Sequence, residues 1–282
     1  MKENKNNNYR IDVDKAWNAL YSRLEEEQLL TKKVEFPFER KRRIYLQRVA
    51  AVAAICIGVA FSVFYFSQGK DDSLVSLQNT ENSGTLVTTL EDGSTVYLEA
   101  NASISYPSTF APDQRKVELK GNALFSVAKN KNRPFIVEVN GITIEVVGTI
   151  FAVESDSGNS FELSVKEGKV NVLSKNDKIA IPVEAGEIVQ LHTGKLSKSK
   201  ITNDRVFSQF TYKMCFKDEK LDDIVRAINT MYGSPTIVTE KSTSNRTLTV
   251  TFENNSVETM TELICYALNL EHVNKQDTIV IR

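Results

Sequence analysis

The longest apolar stretch of the chain runs from Val49 to Phe66 and contains no charged residue. About eighteen residues in a helix, at a rise of roughly 1.5 Å each, cover about 27 Å, close to the thickness of a bilayer's hydrocarbon core. Arginines and lysines crowd its N-terminal side, and two aspartates follow Lys70. By the positive-inside rule, the N-terminus is then cytoplasmic and the C-terminus exported. We predict an uncleaved signal anchor, with its membrane helix at 46–67, because a cleaved signal peptide would begin nearer the N-terminus.

An amphipathic pattern precedes this stretch, from Asp12 to Leu30. Asp12 or Asp14 is placed to cap such a helix. A segment of fewer than about 40 residues has no core of its own in which to bury an apolar stripe. We therefore predict that residues 1–45 dock on a partner; binding to the membrane surface and a solvated tether are the alternatives. The apolar stripe, which recurs at helical spacing, consists of Val13, Trp17, Leu20 and Leu24.

After a linker at 68–83, residues 84–196 show short runs of β-branched and aromatic residues. Turn signals such as Asp92-Gly93 and Asn140-Gly141 separate these runs, and no long helical pattern intervenes. This pattern predicts an all-β unit, either a sandwich or a short solenoid of stacked hairpins. The predicted strands are Thr95–Leu98, Val117–Leu119, Phe135–Val139, Ile142–Val147, Phe161–Val165, Val170–Leu173, Ile179–Val183 and Ile188–Leu191.

A lysine- and serine-rich segment at 197–204 reads as a second linker, and beyond it the pattern changes again. Residues 205–282 predict a small α+β domain with the element order βαββαβ. Its predicted elements are the strand Val206–Phe216, the helix Leu221–Tyr232, the strands Ile237–Thr239 and Thr247–Phe252, the helix Val257–Leu268 and the strand Thr278–Ile281.

The charge distribution is uneven, although the formal net charge is only −1. Basic residues are in excess before the apolar stretch, which suits a segment beside an anionic inner leaflet, and nothing indicates nucleic-acid binding. Cys56 lies in the predicted membrane helix. Cys215 and Cys265 lie beyond it, where a disulfide between them is possible, and the sequence leaves open whether they pair.

Signals for catalysis are weak. The two histidines, His192 and His272, fall in different predicted units and fit no metal-ligand spacing. No nucleophile elbow or phosphate-binding glycine loop is present, and the Ser-x-x-Lys pattern at Ser197–Lys200 lies in the predicted linker. We predict no catalytic, cofactor-binding or metal-binding residues and no enzymatic activity.

Five motifs follow one another along the chain, at Thr89–Leu98, Ser103–Pro107, Arg115–Gly121, Arg133-Pro134-Phe135 and Val147–Val153. In this order they resemble the FecR family of transmembrane anti-sigma factors, in the form frequent in Bacteroidetes. The C-terminal unit resembles the short N-terminal domain of secretins and TonB-dependent receptors, and Ala16-Trp17 with the stripe resembles the family's cytoplasmic helix. One departure is Asn122, at a position where the family pattern has glutamate.

This resemblance implies a regulator in the inner membrane, with its C-terminus in the periplasm. Its cytoplasmic helix would bind a sigma factor of the extracytoplasmic-function class. Its exported part would contact the signalling domain of an outer-membrane TonB-dependent transporter and so control transcription. Membrane proteases are further partners if the signal acts through regulated proteolysis.

Some members of the family cleave themselves at a Gly-Thr bond by an N-to-O acyl shift, and Gly148-Thr149 fits that position. The alternative is that Gly148 makes a bulge and Thr149 packs in the fold. Two other classes of function remain as rivals: a signal-anchored envelope structural or adhesion β protein, and a self-processing or peptidase-like enzyme. A mere anchor has no need of an amphipathic stripe centred on Trp17, and no convergent Ser/His/Asp set supports a peptidase.

Overall fold

The computed structural model describes residues 12–27, 49, 53–62, 73–80, 84–156, 160–174, 180–192, 194–203 and 205–282. The chain divides into two compact units, Met1–Lys70 and Asp71–Arg282. In the first unit, helix α1 spans Val13–Glu26, and residues 53–62 are helical and are labelled α2.

The other residues of the predicted membrane helix and the basic cluster before it, apart from residue 49, lie outside the described residues, so the full length of the span is a prediction. Among the residues that are described, no helix is both long enough and apolar enough to cross a bilayer.

The second unit is built mainly of β-strands, which confirms the predicted β-rich character. A seven-stranded sheet has the order β1-β4-β5-β7-β8-β11-β12, and a nine-stranded sheet has the order β14-β13-β10-β9-β6-β3-β2-β15-β17, as far as the described residues show. The first sheet consists of β1 (Leu74–Gln78), β4 (Ser103–Pro107), β5 (Arg115–Lys120), β7 (Phe135–Val139), β8 (Ile142–Val146), β11 (Lys169–Ser174) and β12 (Ile181–Glu184). The second consists of β2 (Thr85–Thr89), β3 (Thr95–Leu98), β6 (Ala123–Ser126), β9 (Ile150–Ser155), β10 (Phe161–Glu167), β13 (Glu187–His192), β14 (Lys195–Lys200), β15 (Lys213–Lys220) and β17 (Thr247–Glu253).

The inner faces of these two sheets share one apolar core. Of the two predicted folds, the structure is therefore the sandwich and not the solenoid of stacked hairpins. Phe135 and Val137 from the seven-stranded sheet pack in the same cluster as Phe125 and Phe151 from the nine-stranded sheet. The rings of Phe125 and Phe151 stack with centroids 5.2 Å apart. Strict alternation on the strands places these side chains on one face and leaves their neighbours for the other.

The nine-stranded sheet is buried on its outer face as well. Tyr97, Leu124 and Ala152 point away from the sandwich and join a second apolar cluster. The C-terminal elements cover them, so strand β3 is buried at every position. These elements are the helices α3 (Arg205–Tyr212), α4 (Leu221–Tyr232) and α5 (Val257–Leu268), and a three-stranded sheet of β16 (Thr236–Thr239), β19 (Thr278–Ile281) and β18 (His272–Lys275).

The C-terminal elements differ in two ways from the predicted βαββαβ domain. Strand β15 pairs in parallel with β2, so β15 and β17 extend the sheet of the preceding unit. An additional strand, β18, precedes β19. Sequence periodicity missed the β2–β15 pairing because hydrogen bonds between strands far apart in sequence leave no local pattern.

Three predicted boundaries also change. The predicted strand Val206–Phe216 is helix α3 followed by the start of β15, because Phe207 and Phe210 are buried at a helical spacing of three. The first predicted linker contains β1, an edge strand paired with β4. The second contains most of β14, whose lysines suit an edge strand because they discourage further pairing.

Candidate functional site

Helix α1 presents the apolar stripe that the sequence predicts as a partner-binding surface. Asp12 caps the helix: its carboxylate accepts a hydrogen bond from the Lys15 backbone N–H at 3.3 Å. Asp14 in the first turn and Arg23 in the last turn match the helix dipole. These local interactions favour the helix, and no residue of α1 is buried.

The stripe residues remain open to solvent. Trp17 is 56% exposed, Val13 and Leu20 are also exposed, and Leu24 is half-buried. Tyr21, which the sequence analysis left out, is exposed four residues after Trp17 and extends the same surface. That spacing was the signal that could have found it. A contiguous apolar helix face of this kind can occupy a groove on a partner.

The predicted self-cleavage position lies directly before β9. Gly148 has a φ of +155°, and a Cβ at this position would lie 2.8 Å from the Cα of Lys129, so the site accepts only glycine. Thr149 is buried, and its hydroxyl donates a hydrogen bond to the Lys169 carbonyl at 2.9 Å. Gly168 closes the site from the other side, because a Cβ there would lie 3.0 Å from both the Gly148 oxygen and the Thr149 Oγ1. The bond is therefore held in a tightly packed junction between β8, β9 and β11.

The Asp-Gly-Ser motif and the first arginine of the Arg-x-Val-x-Leu-x-Gly motif meet in a buried ion pair. Arg115 is 1% exposed and donates from Nη1 to Asp92 Oδ2 at 2.6 Å. Ser94 donates to the same carboxylate from its backbone N–H at 3.0 Å and from its hydroxyl at 2.7 Å. The Ser94 hydroxyl in turn accepts from the Ala128 N–H at 3.0 Å. This network ties the β2–β3 hairpin to β5 and to the loop before β7.

Arg133, the arginine of the Arg-Pro-Phe motif, extends this network. Arg115 also donates from Nε to the Arg133 carbonyl at 2.9 Å, and its guanidinium lies 5.4 Å from the ring centroid of Phe135. Arg133 donates from Nη2 to the Ala111 carbonyl at 2.8 Å. These motif residues therefore hold neighbouring strands and loops of the sandwich together. Sequence reasoning listed the motifs, but it could not find that their polar side chains converge.

Tyr97 joins the sheet to the C-terminal elements. Its hydroxyl donates to the Ala227 carbonyl in α4 at 3.0 Å, and its side chain is fully buried. Burial raises the pKa of this phenol far above its ordinary value, so it remains a hydrogen-bond donor. The motif position thus anchors α4 to the centre of the nine-stranded sheet.

The two cysteines of the second unit are not joined to each other, and both are buried. The Cys215 Sγ lies 3.6 Å from the Thr251 hydroxyl, which donates to it. Burial raises the pKa of the Cys265 thiol, so it is a poor nucleophile. His192 and His272 lie in β13 and β18, strands of different sheets.

Two family models match the sequence in this order. The model described as FecR protein matches residues 77–171, and the model described as FecR, C-terminal, matches residues 213–281. Together they cover more than half of the chain. The chain belongs to the FecR family.

Solved structures include two crystal structures of a candidate anti-sigma factor from Parabacteroides distasonis ATCC 8503, at 1.65 Å and 2.50 Å resolution. Each is 23% identical to this FecR family chain, with a TM-score of 0.46 over 74% of this chain and 98% of the other. Among curated proteins, none matches the sequence significantly.

The two family matches cover separate parts of the second unit of this FecR family protein, but the nine-stranded sheet contains strands from both. The ion pair of Asp92 and Arg115 and the Gly148-Thr149 junction lie in the first match, and β15 to β19 lie within the second. The hydrogen bonds between β2 and β15 cross from one match to the other. The segment between the matches includes α3, which packs on the outer face of the nine-stranded sheet.

Proposed function

We propose that this FecR family chain is a single-pass anti-sigma factor of the inner membrane. In this proposal, α1 holds an extracytoplasmic-function sigma factor on the cytoplasmic side. The second unit lies in the periplasm and receives the signal of a TonB-dependent transporter. Family membership supports the general role in sigma-factor regulation, and the finer assignments rest on the arguments below.

The single observation that carries the proposal is the exposed stripe of α1. Val13, Trp17 and Leu20 are exposed on a helix that has its own cap but no buried residue. A short helix gains most of its stability from packing an amphipathic face, so a partner that covers this face would order and stabilise it. The test is co-purification of the full chain with a sigma factor of the extracytoplasmic-function class from the same organism. We expect deletion of residues 12–27 to abolish recovery, and undiminished recovery would favour the rival envelope structural protein.

Lipid contact by the second helix is supported by its exposed apolar side chains. Ile55, Ile57, Val59 and Phe61 are all exposed on α2, where contact with water would be unfavourable and contact with lipid would not. The orientation across the membrane rests on the basic residues that precede the apolar stretch. Reporter fusions after Lys70 test this directly. We expect activity only from a reporter that functions outside the cytoplasm. Activity of a cytoplasmic reporter at this position would overturn the proposed topology.

The receiving surface that we favour is the edge strand β17. The two edges of the nine-stranded sheet are β14, which carries three lysines, and β17, whose sequence Thr247–Glu253 has no lysine and no proline. An edge without such protection can accept a partner's strand by β-augmentation. Strand β19, at Thr278–Ile281, lies between β16 and β18, so it offers no free edge.

The pairing of β15 with β2 determines which part of the chain can test this surface. Residues 205–282 share an apolar core with Tyr97, Leu124 and Ala152, so we do not expect them to fold alone. Calorimetry should use residues 71–282 with the transporter's signalling domain. We expect Thr249→Pro in β17 to abolish binding and Ser197→Pro in β14 to leave it unchanged. The reverse result would move the receiving edge to β14.

Strand β17 is linked to β1, the first strand of the second unit, by strand pairing and hydrogen bonds. Strand β17 pairs with β15 and β15 with β2, which connects through Asn79 to β1. The buried Asn79 side chain donates to the carbonyls of Gly84 and Leu98, at 2.6 and 2.9 Å. The route transmits a signal only if the partner binds two arrangements of these strands with different affinity. Regulated cleavage by membrane proteases is an alternative output of the same route.

Self-cleavage at Gly148-Thr149 is a second candidate activity. In the acyl shift, the Thr149 hydroxyl leaves the Lys169 carbonyl and its Oγ1 attacks the carbonyl carbon of Gly148. The Gly148–Thr149 C–N bond breaks as the ester forms, and the hydroxyl proton passes to the released amine of Thr149. Water then hydrolyses the ester, which separates the two fragments. The tight packing by Gly168 would hold these atoms close together. Electrophoresis of the purified chain would reveal two fragments. We expect Thr149→Ala to give one band and Thr149→Ser to keep two; one band from the parent chain would leave Thr149 a packing residue.

A further inference from the structure

A second polar feature lies on the outer face of the nine-stranded sheet, beside α3. Glu154 on β9 stands directly opposite Glu162 on the antiparallel neighbour β10. Like charges in this arrangement are destabilising in a sheet. A pair that persists on a partly buried surface calls for a positive charge to accompany it.

Among the described residues, no cation forms an ion pair with either of these two carboxylates. Glu154 accepts from the Gln209 amide at 3.0 Å, and Glu162 accepts from the Gln190 amide at 2.6 Å. Burial and the nearby carboxylates raise the pKa of Glu154, although the Gln209 bond opposes this shift. The amides therefore orient the two carboxylates without neutralising them.

An independent observation comes from Ser164, the next residue of β10 on the same face. Ser164 is 1% exposed, and its hydroxyl has no hydrogen-bond partner among the described residues. It lines a cavity of about 650 Å³ together with Glu154, Glu162 and Gln190, and Val206 of α3 forms part of the wall. A buried hydroxyl without a partner is rare in a folded protein. This one faces the cavity that holds the two carboxylates.

We propose that this cavity binds the guanidinium group of an arginine side chain presented by a protein partner. The groups left with bonding capacity are acceptors: two carboxylates and a hydroxyl oxygen. A guanidinium is a planar cation with five N–H donors and no acceptor, so it can bridge opposed carboxylates in a way that a point charge cannot. A metal ion is a poorer fit, because no group of three His, Cys, Asp or Glu side chains in the described residues is placed to hold one.

The chain's own nearby lysine does not already fill this role. Lys200 lines the same cavity, but it stands opposite Glu187 in the β13–β14 register and helps to lower the pKa of that carboxyl. The cavity lies at the far side of the sheet from the edge strand β17. It is therefore a contact separate from the receiving edge proposed above, and it does not depend on what α1 binds.

The test uses the full chain and a short, extended peptide with one central arginine, compared by calorimetry with two matched peptides. In one, citrulline replaces arginine with the same shape but no charge; in the other, lysine replaces it. We expect citrulline to weaken binding at least about tenfold and lysine to weaken it by a smaller factor, because charge-assisted bidentate bonds are lost. Equal binding of the arginine and citrulline peptides would overturn the proposal.

Variants locate the site. Glu162→Gln keeps the shape of the side chain and should reduce arginine-peptide affinity about tenfold, whereas Ser164→Ala should reduce it by about threefold. Glu145→Gln on the seven-stranded sheet is the matched control and should bind like the parent chain. Thermal unfolding of each variant verifies that it is folded. If Glu162→Gln and Glu154→Gln both fold and bind as tightly as the parent, the arginine is bound elsewhere and the proposal fails.

Discussion

Helices α1 and α4 carry the same kind of apolar stripe, but the stripe of α4 is buried and most of the stripe of α1 is exposed. On α4, Leu221, Ile224 and Ile228 are completely buried against the nine-stranded sheet. On α1, Trp17 and Leu20 are exposed, although that helix has the better local cap. Periodicity alone cannot distinguish the two cases, because it reports which face is apolar and not what covers it.

The difference teaches how to interpret such a stripe. The α4 stripe has a partner within the same compact unit, so its apolar residues stabilise the fold. On α1, Val13, Trp17 and Leu20 are exposed, so the same residue types are available to another molecule. Substitutions at matched positions on the two helices should therefore change different measured quantities.

The largest effect on stability should come from Leu221→Ala. This leucine is fully buried at the start of α4, and truncation to alanine at such a site costs about 2–5 kcal/mol of unfolding free energy. Leu20→Ala on α1 is the matched control and should cost less than about 0.5 kcal/mol, because that side chain is exposed. Urea denaturation of the full chain measures both. Similar costs for the two variants would mean that α1 is packed within the protein.

Trp17→Ala should show the opposite behaviour. We expect little change in unfolding but a loss of roughly 2–4 kcal/mol in sigma-factor binding, which is about a 30- to 1,000-fold rise in Kd. Ser22→Ala, on the other side of α1, is the control and should bind normally. Titration calorimetry with the purified sigma factor gives the comparison, and equal affinities of the two variants would remove the stripe from the interface.

Tyr97→Phe tests the hydrogen bond that anchors α4 to the sheet, and its expected effect is smaller than that of Leu221→Ala. It removes only the hydroxyl that donates to the Ala227 carbonyl and leaves that carbonyl without this buried partner. We expect a loss of about 1–3 kcal/mol of unfolding free energy, within the range for a buried group that loses its hydrogen bond. Tyr266→Phe, at an exposed tyrosine of α5, is the control and should have almost no effect. Denaturation midpoints that match for the two variants would show that the Tyr97 bond contributes nothing.

The smallest effect concerns Glu219, which precedes α4. Burial, with Asp223 and Asp218 nearby, raises the pKa of this carboxyl above its ordinary 4.5, although hydrogen bonds from Thr88 and Thr89 oppose the shift. The folded state therefore binds the proton more readily than the unfolded state. The contribution to stability is fully present below about pH 4.5 and is lost as the pH rises through the folded-state pKa.

Glu219→Gln should flatten this dependence, since the amide oxygen can still accept from the Thr89 N–H but cannot titrate. Unfolding free energies measured from pH 4 to 8 would reveal the change in slope. Glu118→Gln, an exposed carboxyl on β5, should leave the slope as it is. An unchanged slope in Glu219→Gln would mean that another group controls this pH range.

The local sequence pattern was sufficient to predict the bounds of several helices and strands. Helices α4 and α5, and strands β3, β7 and β19, begin and end at the predicted residues. Strands β2, β6 and β9 were missed, because they are buried on both faces and lose the alternation that marks a half-buried strand. Helix α3 was misread as a strand, because its aromatic and β-branched residues favour strands when considered one at a time.

The candidate sites also differ in whether they could be predicted from local sequence pattern. The α1 stripe could be predicted because its members are neighbours along one helix. The Asp92–Arg115 pair could not, because its partners are 23 residues apart and meet only when β5 joins the sandwich. Glu154, Glu162 and Ser164 appeared as ordinary polar positions on strands until the β9–β10 register placed the two carboxylates opposite each other.

The sequence by itself determined the order of the chain's parts: an amphipathic helix, an uncharged apolar stretch, a run of strands and a mixed C-terminal region. These features are local, since helix and strand periods and capping groups act over a few residues. The tertiary structure alone decided that β15 joins β2, that β17 is an edge and β19 is not, and that α4 is covered while α1 is open. Strand pairing and burial depend on contacts between distant residues, and a backbone edge presents the same N–H and C=O groups whatever side chains it carries.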